Sequence, residues 1–153
     1  MLQSTLESNV TTILDHVNRL RYIHSVPPVT WSSTMAAQAQ TWTNNMAMKK
    51  RLSHSNYAYG ENIAIVYNLG TLSKNVNAAI DAWYAEGVRY NYSSQAPDRS
   101  VLHFSQLVWS STLRIGASVS TSSNGYVYVA MEFDPPGNYA GLYTRNVFPV
   151  LSL

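Results

Sequence analysis

Residues 115–133, Ile115-Gly116-Ala117-Ser118-Val119-Ser120-Thr121-Ser122-Ser123-Asn124-Gly125-Tyr126-Val127-Tyr128-Val129-Ala130-Met131-Glu132-Phe133, carry the clearest folding signal in the chain. Two runs of β-forming residues flank Ser122-Ser123-Asn124-Gly125, which predicts an antiparallel hairpin. Asn124-Gly125 suits a type I′ turn, in which both central residues take positive φ. In the second strand Val127, Val129, Met131 and Phe133 share one face, and Tyr126, Tyr128, Ala130 and Glu132 share the other. Asp134-Pro135-Pro136-Gly137 then stops the strand, and the tail from about residue 138 reads as irregular.

Upstream the period changes from two to that of a helix. Leu6, Val10, Ile13, Leu14, Val17 and Leu20 recur on one helical face until Pro27-Pro28, and Ser4-Thr5-Leu6-Glu7 ahead of them reads as a capping box. A short extended piece, Val29 to Trp31, leads to a Ser32-Ser33 helix start and a stripe of Met35, Ala39, Trp42 and Met46. A third stripe joins Leu72, Val76, Ala79, Ile80 and Trp83, with Gly87 placed to end the helix in the left-handed conformation. Helices early and antiparallel strands late make an α+β domain. No repeat or linker interrupts it, so a single domain is expected over residues 1–153.

Composition narrows the function. Of 153 residues, 46% are hydrophobic and only 12% charged, while eleven tyrosines and many Ser, Thr and Asn supply surface polarity. A formal charge of +2, with basic residues clustered only at Lys49-Lys50-Arg51, argues against capture of nucleic acid. No apolar run approaches the ~20 residues of a bilayer-spanning helix, and the first ten residues lack the pattern of a signal peptide. The absence of cysteine excludes disulfides and thiolate metal sites. Two sequons, Asn9-Val10-Thr11 and Asn91-Tyr92-Ser93, point toward secretion.

The chain lacks His-Glu-x-x-His, Gly-x-Ser-x-Gly, a phosphate loop and a dinucleotide fingerprint. Of its four histidines, His16 and His24 are expected on the surface of the first helix and near its end. His54 and His103 lie in polar settings and, taken singly, read as hydrogen-bonded structural residues. Glu61 reads as a helix-start carboxylate satisfied by backbone N–H groups. Glu86 falls within the third apolar face, which leaves two readings open: a frayed, exposed last turn or a buried functional carboxylate beside Trp83. Spacing alone does not gather these residues.

Five segments in order resemble the CAP superfamily of cysteine-rich secretory proteins, antigen 5 and pathogenesis-related class 1 proteins. They are Leu52-Ser53-His54-Ser55, Tyr59-Gly60-Glu61-Asn62-Ile63-Ala64, Trp83-Tyr84-Ala85-Glu86, His103-Phe104-Ser105-Gln106-Leu107-Val108-Trp109 and Asp134-Pro135-Pro136-Gly137-Asn138-Tyr139. The resemblance implies a three-layer α-β-α sandwich with a small antiparallel sheet. It also implies a cleft holding His54, Glu61, Glu86 and His103, where a divalent metal, often zinc, binds through the imidazoles with the carboxylates nearby. Two imidazoles alone make a weak site. Such proteins normally carry disulfides, and Ala117 and Met131 stand where cysteines are usual, while Leu102 replaces a usual glycine.

Three functions follow from the resemblance. One is a secreted carrier of small lipids or sterols, with Tyr90 and Tyr92 as the contact loop and Pro97 where a third ring is usual; the same rings also have a plain packing role. Another is a metal-dependent hydrolase or protease using Glu61 or Glu86 as base. The last is a secreted effector that releases a peptide after Asp134.

Overall fold

The sequence folds into helices and strands whose order follows its periodicities, and the computed structural model describes residues 2–151. Helix α1 (Leu2–Ile23), strand β1 (Thr30–Trp31) and helix α2 (Ser33–Lys49) come first, then β2 (Gly60–Tyr67), α3 (Leu72–Ala85), α4 (Leu102–Leu107), β3 (Arg114–Thr121), β4 (Tyr126–Asp134) and the single turn α5 (Tyr143–Asn146). The sheet order is β1-β3-β4-β2, antiparallel except for β1 against β3.

The hairpin forms with Arg114 opposite Asp134 and Thr121 opposite Val127. Its turn is not type I′. Only Gly125 has positive φ, at 84°, and its N–H donates to Ser122 O while the Ser122 N–H donates to Tyr126 O. Residues 123–125 therefore form a three-residue loop with glycine in the left-handed position, one residue longer than the Asn-Gly pair suggested.

Both faces of β4 are buried, each against different helices. Val127, Val129, Met131 and Phe133 join Ile13, Val17, Ile80 and Trp83 beneath α1 and α3, whereas Tyr128 and Ala130 pack with Ala39 and Met46 of α2. This is the expected three-layer sandwich. Helix α2 comes close to β3 because the facing residues are small: a Cβ on Gly116 would lie 2.4 Å from the Ala36 nitrogen. Beyond it Ser118 donates to Gln40 Oε1, and Gln40 Nε2 donates to the Val119 carbonyl. Ala117 and Met131 face each other across the hairpin, both buried, so apolar packing fills this position of the cysteine-free sheet.

Several local expectations yield to tertiary packing. Helix α1 already includes Leu2, so Ser4 lies inside it and not at its N-cap. Gly87 is not left-handed; the chain continues from Ala85 into a 3-10 turn, Glu86–Arg89. A glycine is needed there for space, since a Cβ would meet the Phe104 ring at 2.7 Å. His24 is buried, not superficial: its Nδ1 bonds the Phe148 carbonyl at 2.7 Å and its Nε2 the Tyr84 hydroxyl at 2.8 Å. The tail, largely irregular as expected, folds back to make that bond and places Tyr143 and Val147 in a core with Phe104 and Trp109. Its last two residues, Ser152 and Leu153, lie outside the described part.

Candidate functional site

Two histidine–carboxylate pairs sit at one end of the sandwich. The first is built by the loop before β2 and by β2 itself. Glu61 is a strand residue, not a helix-start one, and its side chain is 6% exposed. Its Oε1 accepts from His54 Nδ1 at 2.8 Å and from the Ser55 N–H at 2.9 Å, and its Oε2 accepts from the Ser55 hydroxyl at 2.5 Å. Trp42 on α2 holds this loop by donating its indole N–H to the Ser53 carbonyl.

The second pair joins the end of α3 to the start of α4. Glu86 is neither fully exposed nor on the buried stripe: its side chain is 16% exposed at the first position of the 3-10 turn. One oxygen accepts from the backbone N–H groups of His103 and Phe104, at 3.1 and 3.2 Å, and the other bonds His103 Nδ1 at 2.8 Å. A carboxylate is well suited to these free N–H groups at a helix start. The His103 ring stacks on Trp83, with centroids 6.0 Å apart and planes 23° from parallel. Asn62 of β2 donates to the His103 carbonyl and so ties the two halves together.

His54, Glu61 and His103 line one cavity of about 310 Å³ with Asn62, Arg99, Leu102 and Asn138. Glu86 stands behind His103. The Asp134-Pro135-Pro136-Gly137-Asn138 segment borders it: Asn138, at φ 62°, donates to the Leu102 carbonyl, and the Gly137 N–H donates to Gln106 Oε1.

Electrostatics set the roles. Burial pushes Glu61 up, but hydrogen bonds from His54, Glu132 and Ser55 outweigh it and hold the carboxylate down at about 2. The bond to Glu61 raises His54 in return, against its own burial. In the neutral imidazole Nδ1–H donates to the carboxylate, leaving the Nε2 lone pair free, and the same holds for His103.

Sequence reading missed Glu132 as part of this site. It lies on β4 directly opposite Glu61 and is fully buried. Burial, its interaction with Glu61 and the Glu61 charge raise its pKa to about 9, so it is a neutral acid facing the Glu61 carboxylate. The available signal was its alternation with Tyr128 and Ala130 in a strand buried on both faces.

Tyr90 and Tyr92 fall outside this cleft. Tyr90 is buried against Phe104, and Tyr92, half-buried, lines a separate pocket of about 250 Å³ with His24, Tyr84, Val88, Phe104 and Val150.

The profile of the Cysteine-rich secretory protein family, CAP, matches residues 14–133. The chain belongs to the CAP family. It is 36% identical over 135 residues to the Secreted protein RBT4 of Candida albicans, covering 84% of this chain and 35% of that one. It is 34% identical over 141 residues to a PR-1 type pathogenesis-related protein of Sambucus nigra, covering 90% and 83%. The CAP chain thus spans about a third of the fungal relative and most of the plant one. A crystal structure of NaASP2 with Zn2+ has the same fold, with a TM-score of 0.76 at 21% identity over 88% of this chain and 83% of that one.

The CAP donor set fits a metal in part. His54 and His103 border one cavity, yet the described residues hold no group of three or more His, Cys, Asp or Glu arranged to bind a metal.

Proposed function

We propose that this CAP protein acts outside the cell as a binding protein, and that its cleft holds a divalent cation, zinc being the natural choice, through Nε2 of His54 and of His103. The observation that carries the reading is the pairing of each Nδ1 with a carboxylate, which fixes both rings with the ligating nitrogen free at one cavity. A bound cation would supply Lewis acidity there. Glu61 and Glu86 keep the rings oriented, and because both oxygens of each already accept hydrogen bonds, neither is placed as a free base. This favours binding over hydrolysis. Two protein ligands make the site weak and exchangeable.

Calorimetric titration with zinc tests this. His54→Ala and His103→Ala are each expected to weaken binding at least about tenfold, consistent with loss of one of two ligands. Affinity is expected to fall as pH drops through the raised pKa of His54, because a protonated ring cannot ligate. Heats unchanged by both substitutions would refute the reading.

The extracellular placement is supported by the name of the fungal relative, Secreted protein RBT4, and by the sequon at Asn91, which is exposed. Asn9 instead bridges α1 and α3 by accepting the Ser73 N–H. Among the described residues no helix is long and apolar enough to cross a membrane.

A lipid or sterol ligand is supported by a different observation. The pocket beside Tyr92 is walled by Tyr84 and Phe104, and an apolar cavity of about 530 Å³ bounded by Tyr22, Ile23, Val26 and Pro27 shares Val150 with it. Flat apolar rings suit such walls. With a labelled sterol ester, Tyr92→Ala is expected to weaken saturable binding by about tenfold, equivalent to one well-packed aromatic contact. Tyr90→Ala should chiefly lower stability, because that ring is buried. Folded wild-type protein without saturable binding would exclude the ligand. Release of a tail peptide finds less support, since cutting after Asp134 would strip Tyr143 and Val147 from their core.

A further inference from the structure

One charged side chain at the cleft is used neither by the fold nor by the metal reading. Arg99 belongs to the 3-10 turn Arg99–Val101 that enters α4; its side chain is exposed and borders the same cavity as His54 and His103. Among the described residues it makes no salt bridge, whereas Arg114 pairs with Asp134 and Arg89 donates to the Ser100 carbonyl. The adjacent acid, Asp98, already accepts the Ser100 N–H at 2.8 Å.

No carboxylate of the cleft pairs with it. Glu61 and Glu86 have both oxygens taken by N–H and O–H donors, and Glu132 is buried on β4 opposite Glu61. The amides are engaged as well: Asn62 Nδ2 donates to the His103 carbonyl and Asn138 Nδ2 to the Leu102 carbonyl. The charged or metal-ligating groups left for a ligand are two imidazole nitrogens and a guanidinium.

We propose that the cleft takes a small oxyanion of the carboxylate or phosphate class, held by the Arg99 guanidinium and completing the coordination of a metal on His54 and His103. The inference rests on the metal reading. A guanidinium meets such an anion with two parallel N–H···O bonds. A cation with two imidazole ligands has open positions for the anion's oxygens. Metal and anion then strengthen each other's binding by the same factor. The cavity, about 310 Å³, suits a small organic anion.

The test is zinc titration in a non-coordinating buffer, alone and with acetate or methyl phosphate. At least one anion is expected to tighten zinc binding about tenfold, a coupling of ordinary size. Arg99→Ala should abolish that gain, Arg99→Lys retain part of it, and Lys74→Ala, the same charge change away from the cavity, leave it intact. Cobalt in place of zinc should show an anion-dependent visible spectrum in wild type and not in Arg99→Ala. The more effective anion assigns the class. Zinc binding that depends on His54 but ignores both anions, or a gain that survives Arg99→Ala, would overturn this inference and leave the metal reading standing. No zinc binding under any condition would overturn both.

Discussion

Glu132→Gln is expected to remove a pH dependence of stability amounting to about 1.4 kcal/mol per pH unit between roughly pH 5 and pH 8. In the unfolded chain Glu61 and Glu132 are both ionised above about pH 4.5. In the fold they face each other across β2 and β4, where Glu132 is raised to about 9 and Glu61 held at about 2, so the pair keeps one proton. Folding therefore takes up a proton throughout this window. Stability from this pair is largest at the acid end and is lost as pH rises toward 9. Below about pH 4.5 the unfolded chain binds two protons against the one held in the fold, so the slope reverses and stability falls with further acidification; near pH 2 protonation of Glu61 levels it off. Gln keeps an N–H to donate to Glu61 but needs no proton. Urea midpoints at pH 5, 6.5 and 8 should fall more steeply for wild type than for the variant, with His54 contributing a smaller fall in both. Parallel curves would show that the pair shares no proton.

Arg21→Met should cost about 3–5 kcal/mol, the range for removing one partner from a buried charged network. The guanidinium is fully buried and donates to the carbonyls of Pro27, Leu107, Trp109, Ser110 and Thr112, at 2.8 to 3.5 Å, with no carboxylate among its partners. Burial draws its pKa down to about 10, and it stays charged at neutral pH. Its fork pins the end of α1 to the segment that leads from α4 into β3. Met fills the volume but leaves carbonyls without donors, each worth about 1–3 kcal/mol when dry. Arg21→Lys should recover only part, since one ammonium cannot span the set. The urea midpoint at constant slope measures the loss. A loss under about 1 kcal/mol would mean that water replaces the guanidinium.

What could be read from the chain depended on the range of the forces involved. The hairpin was legible because alternation along Tyr126–Phe133 is local, yet its turn type was not, because Asn124-Gly125 is compatible with loops of two or three residues and strand register decides between them. The three long helices followed from their apolar stripes. Arg21, four residues after Val17 on that same stripe, is a buried anchor that periodicity does not reveal, since its five acceptors come from residues 27 to 112. His24 was misplaced for the same reason, its partners lying 60 and 124 residues away.

The cleft shows the division most clearly. The order of motifs named His54, Glu61, Glu86 and His103, and the ring and carboxylate chemistry suggested which atoms could pair. Composition and local periodicity together specified a weakly charged, cysteine-free chain with one amphipathic period per segment, hence an α+β core. Only the tertiary structure decided that Glu61 sits on a strand, that Glu132 lies opposite it and keeps a proton, and that Arg99 borders the cavity. Periodicity is a property of neighbours along the chain, whereas desolvation and proton sharing depend on which distant segments meet.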